Sequence, residues 1–426
     1  MLRTSFMQES TAMAREHGPV FEREFFNLRF TFVTSAELVA ELADEHRFEK
    51  HVLPALEVVR PAIGDGLLTA YNHEPNWRTA HELLMPAFSQ NAMRRYHPLM
   101  LAVGGQLLDA WDDAVGPVDV TGSMAKVTLE IIGRAGFGYS FDSFARATTH
   151  PFVVALADVL DHGQRLVTRP PLAGGFLGKR AAERNADNIA YLNAVVDEVI
   201  ATRTAGGDHG SDLLGLMLES DALDPVNIRN QVLTFLAAGH ETTSAAMAFT
   251  LYYLAADPVV LQRVQDEVDA VLDVGEPRFE QVAKLRYLRR AVDESLRLWP
   301  TAPGYSRVAK QDTMLGGRYL MRAGDPHFVL LPALHREPIW GAGPDEFDPD
   351  RFLPSRVRER PAHAFKPFGT GIRACIGRQF ALHQIALIVA LIVRRYDIAL
   401  PQDYQLRVSE GLTFNPIALT LHLTAR

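Results

Sequence analysis

Apolar residues recur every three or four positions along most of the chain, which is the period of amphipathic helices. This pattern predicts helices over residues 1–17, 35–44, 98–113, 120–135, 151–160, 181–203, 225–256, 258–272, 288–298 and 379–393. Closely spaced apolar residues between glycines and prolines predict strands over 20–33, 327–332, 406–408, 412–414 and 417–423. Residues 162–178 have the composition of a loop. We therefore expect a mainly α-helical protein with small β-sheets.

The predicted helix over residues 225–256 is very long for a globular protein. Asp224-Pro225 is a helix start signal and Asp257-Pro258 a stop signal. Its centre, residues 238–243, reads AGHETT, so a glycine and two threonines weaken the helix where polar groups interrupt an apolar run. A local opening that accommodates a small ligand would explain this cost. A chance polar patch on a solvated face fits less well with the apolar flanks.

Composition favours one compact domain over residues 1–426. The length allows two or three domains, but no Ser/Gly-rich or Pro-rich linker marks a boundary. Hydrophobic residues make up 47% and charged residues 22% of the chain, which is ordinary for a globular protein with a core large enough to enclose a ligand.

Charge and cysteine usage exclude several classes of partner. The net charge of -8 gives no support for binding nucleic acid. The N-terminus lacks the apolar core of a signal peptide, and one cysteine fits a reducing compartment, so we expect a cytoplasmic protein. His240 and Glu241 near the middle of the longest weakly charged run argue against a membrane span. We expect a monomer with no membrane partner.

The only cysteine, Cys375, lies in a glycine-rich loop whose residues 368–377 read FGTGIRACIG. Glycines at 369, 371 and 377 let the backbone turn tightly, and a predicted helix follows directly. The positive end of that helix would favour a thiolate. The alternative is a small buried hydrophobe, as most single cysteines are. Cysteine count alone favours that alternative.

Two weaker patterns lie on other predicted helices. Asn76 is placed to cap a helix on which Trp77 and His81 are four residues apart and share one face. Alone, that pair is more simply a packed aromatic beside a satisfied histidine. Glu294 and Arg297 are three residues apart and can form an ion pair.

Taken together, these motifs resemble the cytochrome P450 family of haem-thiolate monooxygenases, from about Gly18 to the C-terminus. The family's cysteine-loop pattern is met by Phe368, Gly371, Arg373, Cys375 and Gly377, its oxygen-activation motif by residues 238–243, its Glu-x-x-Arg by Glu294 and Arg297, and its acidic-Arg-Phe element by Asp350, Arg351 and Phe352. The resemblance implies the P450 fold, a triangular prism with a long central helix over haem b. It implies an enzyme that uses O2.

The resemblance also implies roles for single residues. Cys375 would be the proximal ligand of the haem iron. On the opposite face Thr242 and Glu241, with ordered water, would deliver the two protons that oxygen activation needs, while Ala238 and Gly239 leave space for oxygen.

Further roles follow for the residues around the cofactor. Those that match positions holding the haem propionates are Arg373, Arg307, Trp77 and His81. Those that complete the cysteine loop around the haem are Phe368, Gly369 and Gly377. Those expected in a structural ion network beneath the haem are Glu294, Arg297 and Arg351.

The sequence of residues 297–303, 364–368 and 380–383 is similar to that of bacterial fatty-acid hydroxylases fused to a flavin reductase. Here the sequence stops after the haem domain, so we expect electrons from NAD(P)H through a separate ferredoxin- or flavodoxin-type partner, unless a reductase was removed. Lys366, Arg373 and Arg378 would form its docking patch.

The resemblance also bears on the substrate, a lipophilic small molecule that is hydroxylated or epoxidised. Leu28 and Phe32 replace an arginine and a tyrosine that bind the fatty carboxylate in those hydroxylases, and Leu68 replaces an aromatic guard of the haem. This favours a bulky natural-product intermediate of secondary metabolism, such as a polyketide or macrocycle, over a long-chain fatty acid. The residues expected to line the pocket are Leu28, Phe32, Leu67, Leu68, Ala238, Ala302 and Leu412.

Two other activities compete with the monooxygenase. Peroxide-driven oxygenation is disfavoured because its specialists in the family replace the acid–alcohol pair by arginine and proline, whereas Glu241 and Thr242 are present. A non-catalytic haem sensor or carrier would have no use for that pair.

Overall fold

The computed structural model describes residues 5–25, 28–146, 148–168, 176–207 and 209–426. The α-helices are α1 (Phe6–His17), α2 (Ala36–Leu42), α3 (Pro54–Glu57), α4 (Arg60–Ile63), α5 (Asn76–Leu84), α6 (Gln90–Asp112), α7 (Val120–Phe137), α8 (Pro151–Thr168), α9 (Phe176–Ala205), α10 (Leu213–Glu219), α11 (Pro225–Ala256), α12 (Pro258–Val271), α13 (Phe279–Val282), α14 (Arg286–Leu298), α15 (Leu331–Leu334), α16 (Pro354–Glu359) and α17 (Arg378–Arg395). Short 3-10 helices cover Met85–Phe88, Pro338–Trp340, Pro349–Phe352 and Gly371–Arg373.

The strands are β1 (Val20–Phe25), β2 (Leu28–Val33), β3 (Phe48–His51), β4 (Val118–Asp119), β5 (Gly304–Ala309), β6 (Thr313–Leu315), β7 (Tyr319–Met321), β8 (Pro326–Leu330), β9 (Tyr396–Ala399), β10 (Val408–Glu410), β11 (Phe414–Pro416) and β12 (Thr420–Ala425). The largest sheet has the order β1-β2-β8-β5-β3, with β2 and β8 parallel and the other pairs antiparallel. Smaller sheets are β4-β12-β9, β10-β11 and β6-β7. The prediction of a mainly helical protein with small sheets is confirmed.

The long helix α11 is the centre of the main hydrophobic core. The Asp224 carboxylate caps its first turn by accepting the N–H of Asn227 at 2.8 Å, and Pro225 fits the first helical position. Asp257 follows its last residue and caps α12, which leaves at an angle of 111°. Helix α11 packs against α7, α14, α17 and the strand β11. Its length therefore brings it against both α17, the helix that follows the cysteine loop, and the β10–β11 hairpin.

Among the residues that the structure describes, no single helix is both long and apolar enough to cross a membrane. The bent pair α11 and α12, taken together, reaches that length and composition.

Several predicted boundaries are wrong. Helix α6 begins at Gln90, eight residues before Pro98, because Ser89 caps it and the proline is accommodated inside the helix. Residues 162–168, predicted as loop, continue α8, and residues 176–178 already belong to α9. The rest of that predicted loop, residues 169–175, lies outside the described residues. Strand β8 ends at Leu330, and the next residues form the turn α15.

The predicted opening in the middle of α11 is also wrong. The helix runs without a break through residues 238–243. The Thr242 hydroxyl donates a hydrogen bond to the Ala238 carbonyl oxygen at 2.7 Å, so that carbonyl serves as acceptor for a side chain within an unbroken helix.

Candidate active site

The cysteine loop is a tight backbone hairpin in front of α17. The Cys375 N–H donates to the Phe368 carbonyl oxygen at 2.9 Å and closes the loop. Gly369 and Gly371 have φ angles of 74° and 69°, in the left-handed region that favours glycine. A Cβ atom at Gly371 would lie 1.9 Å from Glu45 Oε1. The glycines are therefore required by backbone conformation and by close packing.

Cys375 lies on the wall of an internal space. Its side chain is exposed, yet burial raises the pKa of its thiol, while the Gly377 N–H and the charge of Arg378 act in the opposite direction. A side chain that is accessible and also deep in the protein faces a cavity rather than bulk solvent. The backbone donor at the sulfur is the contact that stabilises a thiolate ligand and tunes its metal. Helix α17 begins three residues later, at Arg378, with Gly377 at its N-cap.

The centre of α11 also faces an internal space. Residues 231–237 and 243–251 are buried, whereas residues 238–242 between them are only half-buried. Because both flanks are in the core, this accessible segment opens onto a space inside the protein. Gly239 does not contribute to it, because a Cβ atom there would lie 3.6 Å from Ile132 Cγ1 and thus points toward α7.

Glu241 is held by the β10–β11 hairpin. Asn415 Nδ2 donates to Glu241 Oε1 at 2.9 Å. Burial raises the pKa of the Glu241 carboxyl, and hydrogen bonds from Thr413 and Asn415 lower it. Glu241 and Thr242 are adjacent on a helix and project about 100° apart. A proton passing between them therefore needs a bridging water or a rotation of the Glu241 side chain.

Arg373, Trp77 and His81 form one stack. The guanidinium carbon of Arg373 lies 4.3 Å from the centre of the Trp77 ring, and the Trp77 and His81 rings stack at 4.9 Å. Arg373 Nη2 donates to the Ala70 carbonyl oxygen, but its buried Nε has no hydrogen-bond partner among the described residues. Burial lowers the pKa of Arg373 to about 10. A carboxylate would satisfy this donor and this charge.

A second buried cation lies beside Arg373. Lys50 Nζ donates to the Leu68 carbonyl oxygen, and burial together with the charge of Arg373 lowers the pKa of Lys50 to about 7. Two cations crowded in this way favour an anionic group between them. Arg307 is placed differently: its guanidinium donates to the carbonyl oxygens of Leu42 and Phe48 at 3.0 and 3.1 Å, so the protein itself binds two of its three nitrogens.

The predicted ion network is assembled in the structure. Arg297 forms a two-point pair with Glu294, with Nε–Oε2 and Nη2–Oε1 distances of 2.6 and 2.7 Å, and both side chains are fully buried. Arg351 Nε lies 3.5 Å from Glu294 Oε1. Arg297 also donates to the carbonyl oxygens of His335 and Pro344 at 2.8 and 2.6 Å. These bonds tie α14 to the segment before the cysteine loop.

The residues predicted to line the pocket fall into two groups. Leu67, Leu68 and Leu412 are half-buried side chains packed against the main core, and Ala238 and Ala302 are half-buried as well.

Phe32 belongs to the other group, since it is fully buried in an aromatic cluster with Phe6, Phe21 and Phe328. That placement contradicts the prediction that Phe32 lines the pocket. Leu28 begins strand β2, and its side chain lies outside the described residues.

The predicted docking patch is not a single surface. Arg373 points into the stack with Trp77. Burial and the charge of Arg378 lower the pKa of Lys366. Arg378 lies 5.7 Å from the centre of the Phe368 ring. Arg373 is therefore not available on the surface to bind a redox partner.

The residues present fit a haem group. The accessible cysteine with its backbone donor suits an iron ligand, the half-buried segment of α11 leaves space beside the helix, and the unsatisfied donor of Arg373 suits a carboxylate of the cofactor. Together they define a haem-thiolate type of site.

The family comparison agrees with this geometry. The cytochrome P450 family model matches residues 2–421. This chain belongs to the cytochrome P450 family.

Several curated proteins are similar over nearly the whole chain. A bifunctional cytochrome P450/NADPH–P450 reductase of Bacillus cereus is 42% identical over 416 residues, covering 95% of this chain and 39% of that protein. Bifunctional cytochrome P450/NADPH–P450 reductase 2 of Bacillus subtilis is 41% identical with the same coverage. A self-sufficient cytochrome P450 monooxygenase of Phanerodontia chrysosporium is 34% identical over 426 residues, covering 97% of this chain and 40% of that protein. The chain thus spans about two-fifths of the length of these relatives.

Sequence reasoning missed Lys50, Asn415 and Asp65. Each belongs to no recognisable motif, and each acquires its partners only through contacts between segments distant in sequence. Asn76, predicted as a helix cap, is the first residue of α5, and its amide donates instead to Asp65 Oδ2 at 2.8 Å.

Proposed function

We propose that this chain is the haem domain of a monooxygenase that inserts one oxygen atom from O2 into a lipophilic small molecule. The observation that carries the proposal is the accessible Cys375 in a tight glycine loop, which occurs together with a half-buried segment, residues 238–242, in the otherwise buried middle of α11. A bound haem supplies the iron chemistry that activates dioxygen.

The chain's own residues bind the cofactor and move protons. Cys375 would hold the haem iron through its thiolate, and the Gly377 N–H would stabilise the negative charge on Sγ. Arg373 and Lys50 would bind the cofactor carboxylates, and the Trp77 ring beneath the guanidinium would hold Arg373 in place. Glu241 takes up protons from the β10–β11 side and passes them toward the Thr242 hydroxyl.

The carbon monoxide difference spectrum of the reduced protein tests this proposal. We expect a thiolate-type Soret band in the wild type and in Ser355→Ala, which changes an exposed residue of α16, and its loss in Cys375→Ala. A wild type without the band, or an unchanged band in Cys375→Ala, would refute the haem-thiolate site.

We further propose that the substrate is a bulky natural-product-like molecule rather than a free fatty acid. Leu68 supports this, since a half-buried aliphatic side chain at that place leaves more room than a ring. Arg29, which follows Leu28 in the sequence and is a candidate to bind a fatty carboxylate, is exposed and forms an ion pair with Glu22. Phe32 does not bear on the choice of substrate, because it is buried in an aromatic cluster away from the pocket residues. Tight low-to-high-spin conversion by palmitate, exceeding that by macrolide probes, would reverse this ranking.

Electrons are proposed to come from NADPH through a reductase. The names of the two Bacillus relatives join a cytochrome P450 to an NADPH–P450 reductase, which supports a reductase of that kind. Reconstitution with a purified reductase module of such a relative should give faster haem reduction than a ferredoxin or flavodoxin system. The opposite order would favour the separate small partner predicted from the sequence.

A further inference from the structure

A carboxylate on the loop between α4 and α5 is held by three neutral amides. Asn227 and Asn230 of α11 donate to Asp65 Oδ1 at 2.8 and 2.9 Å, and Asn76 of α5 donates to Oδ2 at 2.8 Å. Burial raises the pKa of Asp65, but the three side-chain hydrogen bonds outweigh burial and lower it. One side chain therefore joins the loop to the helix of Trp77 and to the helix of Thr242.

The loop around Asp65 lies directly against α11. Gly64 has a φ of 52°, and a Cβ atom there would lie 2.2 Å from Asn230 Nδ2. A Cβ atom at Gly66 would lie 2.0 Å from Thr234 Oγ1. Glycine on both sides of Asp65 lets the backbone approach the helix closely enough for the carboxylate to reach both α11 amides.

The two residues after Gly66 are fixed through their backbones. The Leu67 N–H donates to Gln231 Oε1 at 3.0 Å, and Gln231 Nε2 donates in turn to Asn227 Oδ1 at 3.1 Å. The Leu68 carbonyl oxygen accepts from Lys50 Nζ. The network that starts at Asp65 thus extends through Asn227 to the amide group of Leu67.

We propose that Asp65 is a positioning residue that sets the size selectivity of the active-site pocket, because its bonds to Asn76, Asn227 and Asn230 hold the backbone that carries Leu67 and Leu68. This inference rests on the proposed function, in which those two leucines form part of the pocket wall. Asp65 acts through this loop and not by contact with substrate or cofactor.

The Asp65 carboxylate is a single acceptor for donors on two helices, α5 and α11. Without the carboxylate, the buried Asn227 side-chain N–H has no acceptor. The Asn227 side chain is then free to rotate, and it no longer holds Gln231 in the orientation that accepts the Leu67 N–H. The loop keeps its bonds to Lys50 and Arg60, but its bond to Gln231 is no longer supported from Asp65. A loosened wall admits bulky molecules more easily and holds slender ones less well.

The test compares three variants of the haem-loaded protein. Asp65→Ala removes the acceptor. The double variant Asp65→Asn/Asn76→Asp restores it: the side-chain amide introduced at position 65 accepts from Asn227 and Asn230 through its oxygen and donates through its nitrogen to the carboxylate introduced at position 76. Asp221→Asn, which changes an exposed aspartate before α11, is the matched charge control.

Two readouts are needed. Hydrogen–deuterium exchange of the amides of residues 64–70 reports the loop, with α17 as internal reference. Dissociation constants of imidazole, 1-phenylimidazole and clotrimazole, read from the Soret shift, report pocket size without knowledge of the substrate, because azoles bind haem iron directly.

In Asp65→Ala we expect loop exchange to rise about tenfold with α17 unchanged, and the ratio of imidazole to clotrimazole dissociation constants to change about fivefold or more. The double variant should return both quantities to within about twofold of wild type. The Asp221→Asn control should match wild type.

Unchanged loop exchange in Asp65→Ala would overturn the inference, as would faster exchange with an unchanged azole ratio, or a double variant as loose as Asp65→Ala. A wild type that shows no azole shift counts against the proposed function instead. In that case loop exchange alone decides whether Asp65 holds the loop.

Discussion

Asn415 donates to Glu241 Oε1 at 2.9 Å, and the same Nδ2 group lies 2.9 Å from Thr413 Oγ1. A strand distant in sequence thereby reaches the one carboxylate in the half-buried segment of α11. Because burial raises and these bonds lower the pKa of Glu241, the β10–β11 hairpin helps to set the proton affinity of that acid.

The first prediction concerns this bond. Asn415→Ala removes a donor that stabilises the carboxylate, so the pKa of Glu241 should rise. The pH profile of product formation should then shift to higher pH by less than about one unit, since one hydrogen bond contributes about 1 kcal/mol. The measurement is turnover from pH 6 to 9 beside Asn91→Ala, an exposed control in α6. If the pH profile of Asn415→Ala matches that of the wild type, the protonation of Glu241 does not limit product formation.

The second prediction isolates the Thr242 hydroxyl. Thr242→Val keeps the shape of the side chain but removes the group that donates to Ala238, so product formed per NADPH should fall about tenfold while peroxide release rises. Thr250→Val is the matched control, because the Thr250 hydroxyl makes the same kind of bond to Ala246, at 2.8 Å, in the buried part of the same helix. Equal loss of coupling in both variants would indicate a general effect on α11.

The third prediction concerns pH-dependent stability. Burial raises the pKa of Glu337 to about 7, while its carboxylate accepts the Ala36 N–H at 2.9 Å. The folded protein therefore binds this proton more tightly than the unfolded chain between about pH 4.5 and 7, and the free energy of unfolding falls as pH rises through that window.

Glu337→Gln keeps an acceptor for the Ala36 N–H and removes the titration. Its stability relative to wild type should increase from pH 5 to pH 8 in urea unfolding of the holoprotein. Glu359→Gln, in an exposed part of α16, should show no such trend. A constant difference between Glu337→Gln and wild type would contradict the burial of that charge.

The fourth prediction concerns the ion network. Arg297→Lys loses the two-point contact with Glu294 and most of the carbonyl contacts, leaving buried groups unpaired. We expect a loss of about 3–5 kcal/mol in the free energy of unfolding, or no folded holoprotein. Arg286→Lys, in an exposed position of the same helix, should cost less than about 0.5 kcal/mol. A small effect in Arg297→Lys would show that the network is dispensable.

Local signals explain what the sequence predicted well. Asp224-Pro225 and Asp257-Pro258 determine the ends of α11 because capping and proline geometry act within a few residues. The cysteine loop is likewise a local pattern of glycines around Cys375. Spacing on α14 sufficed for the pair of Glu294 and Arg297.

Tertiary contacts explain what the sequence did not predict. Asparagine is a common helix cap, but the Asn76 side chain donates its amide to Asp65 instead of capping α5. The resemblance predicts Phe32 in the pocket lining, whereas packing with other phenylalanines buries it. Lys50 belongs to no sequence motif, and only the fold places it beside Arg373.

The organisation of residues 1–426 as a single domain stays a prediction.

Gly371 limits how the cysteine loop can be changed by directed evolution. Any side chain there meets both an unfavourable φ of 69° and the Glu45 carboxylate, and Glu45 in turn lies 3.4 Å from Arg307. The next residue, Ile372, is 55% exposed and free of that constraint. Libraries that randomise this loop should therefore spend their diversity at position 372 and keep position 371 invariant.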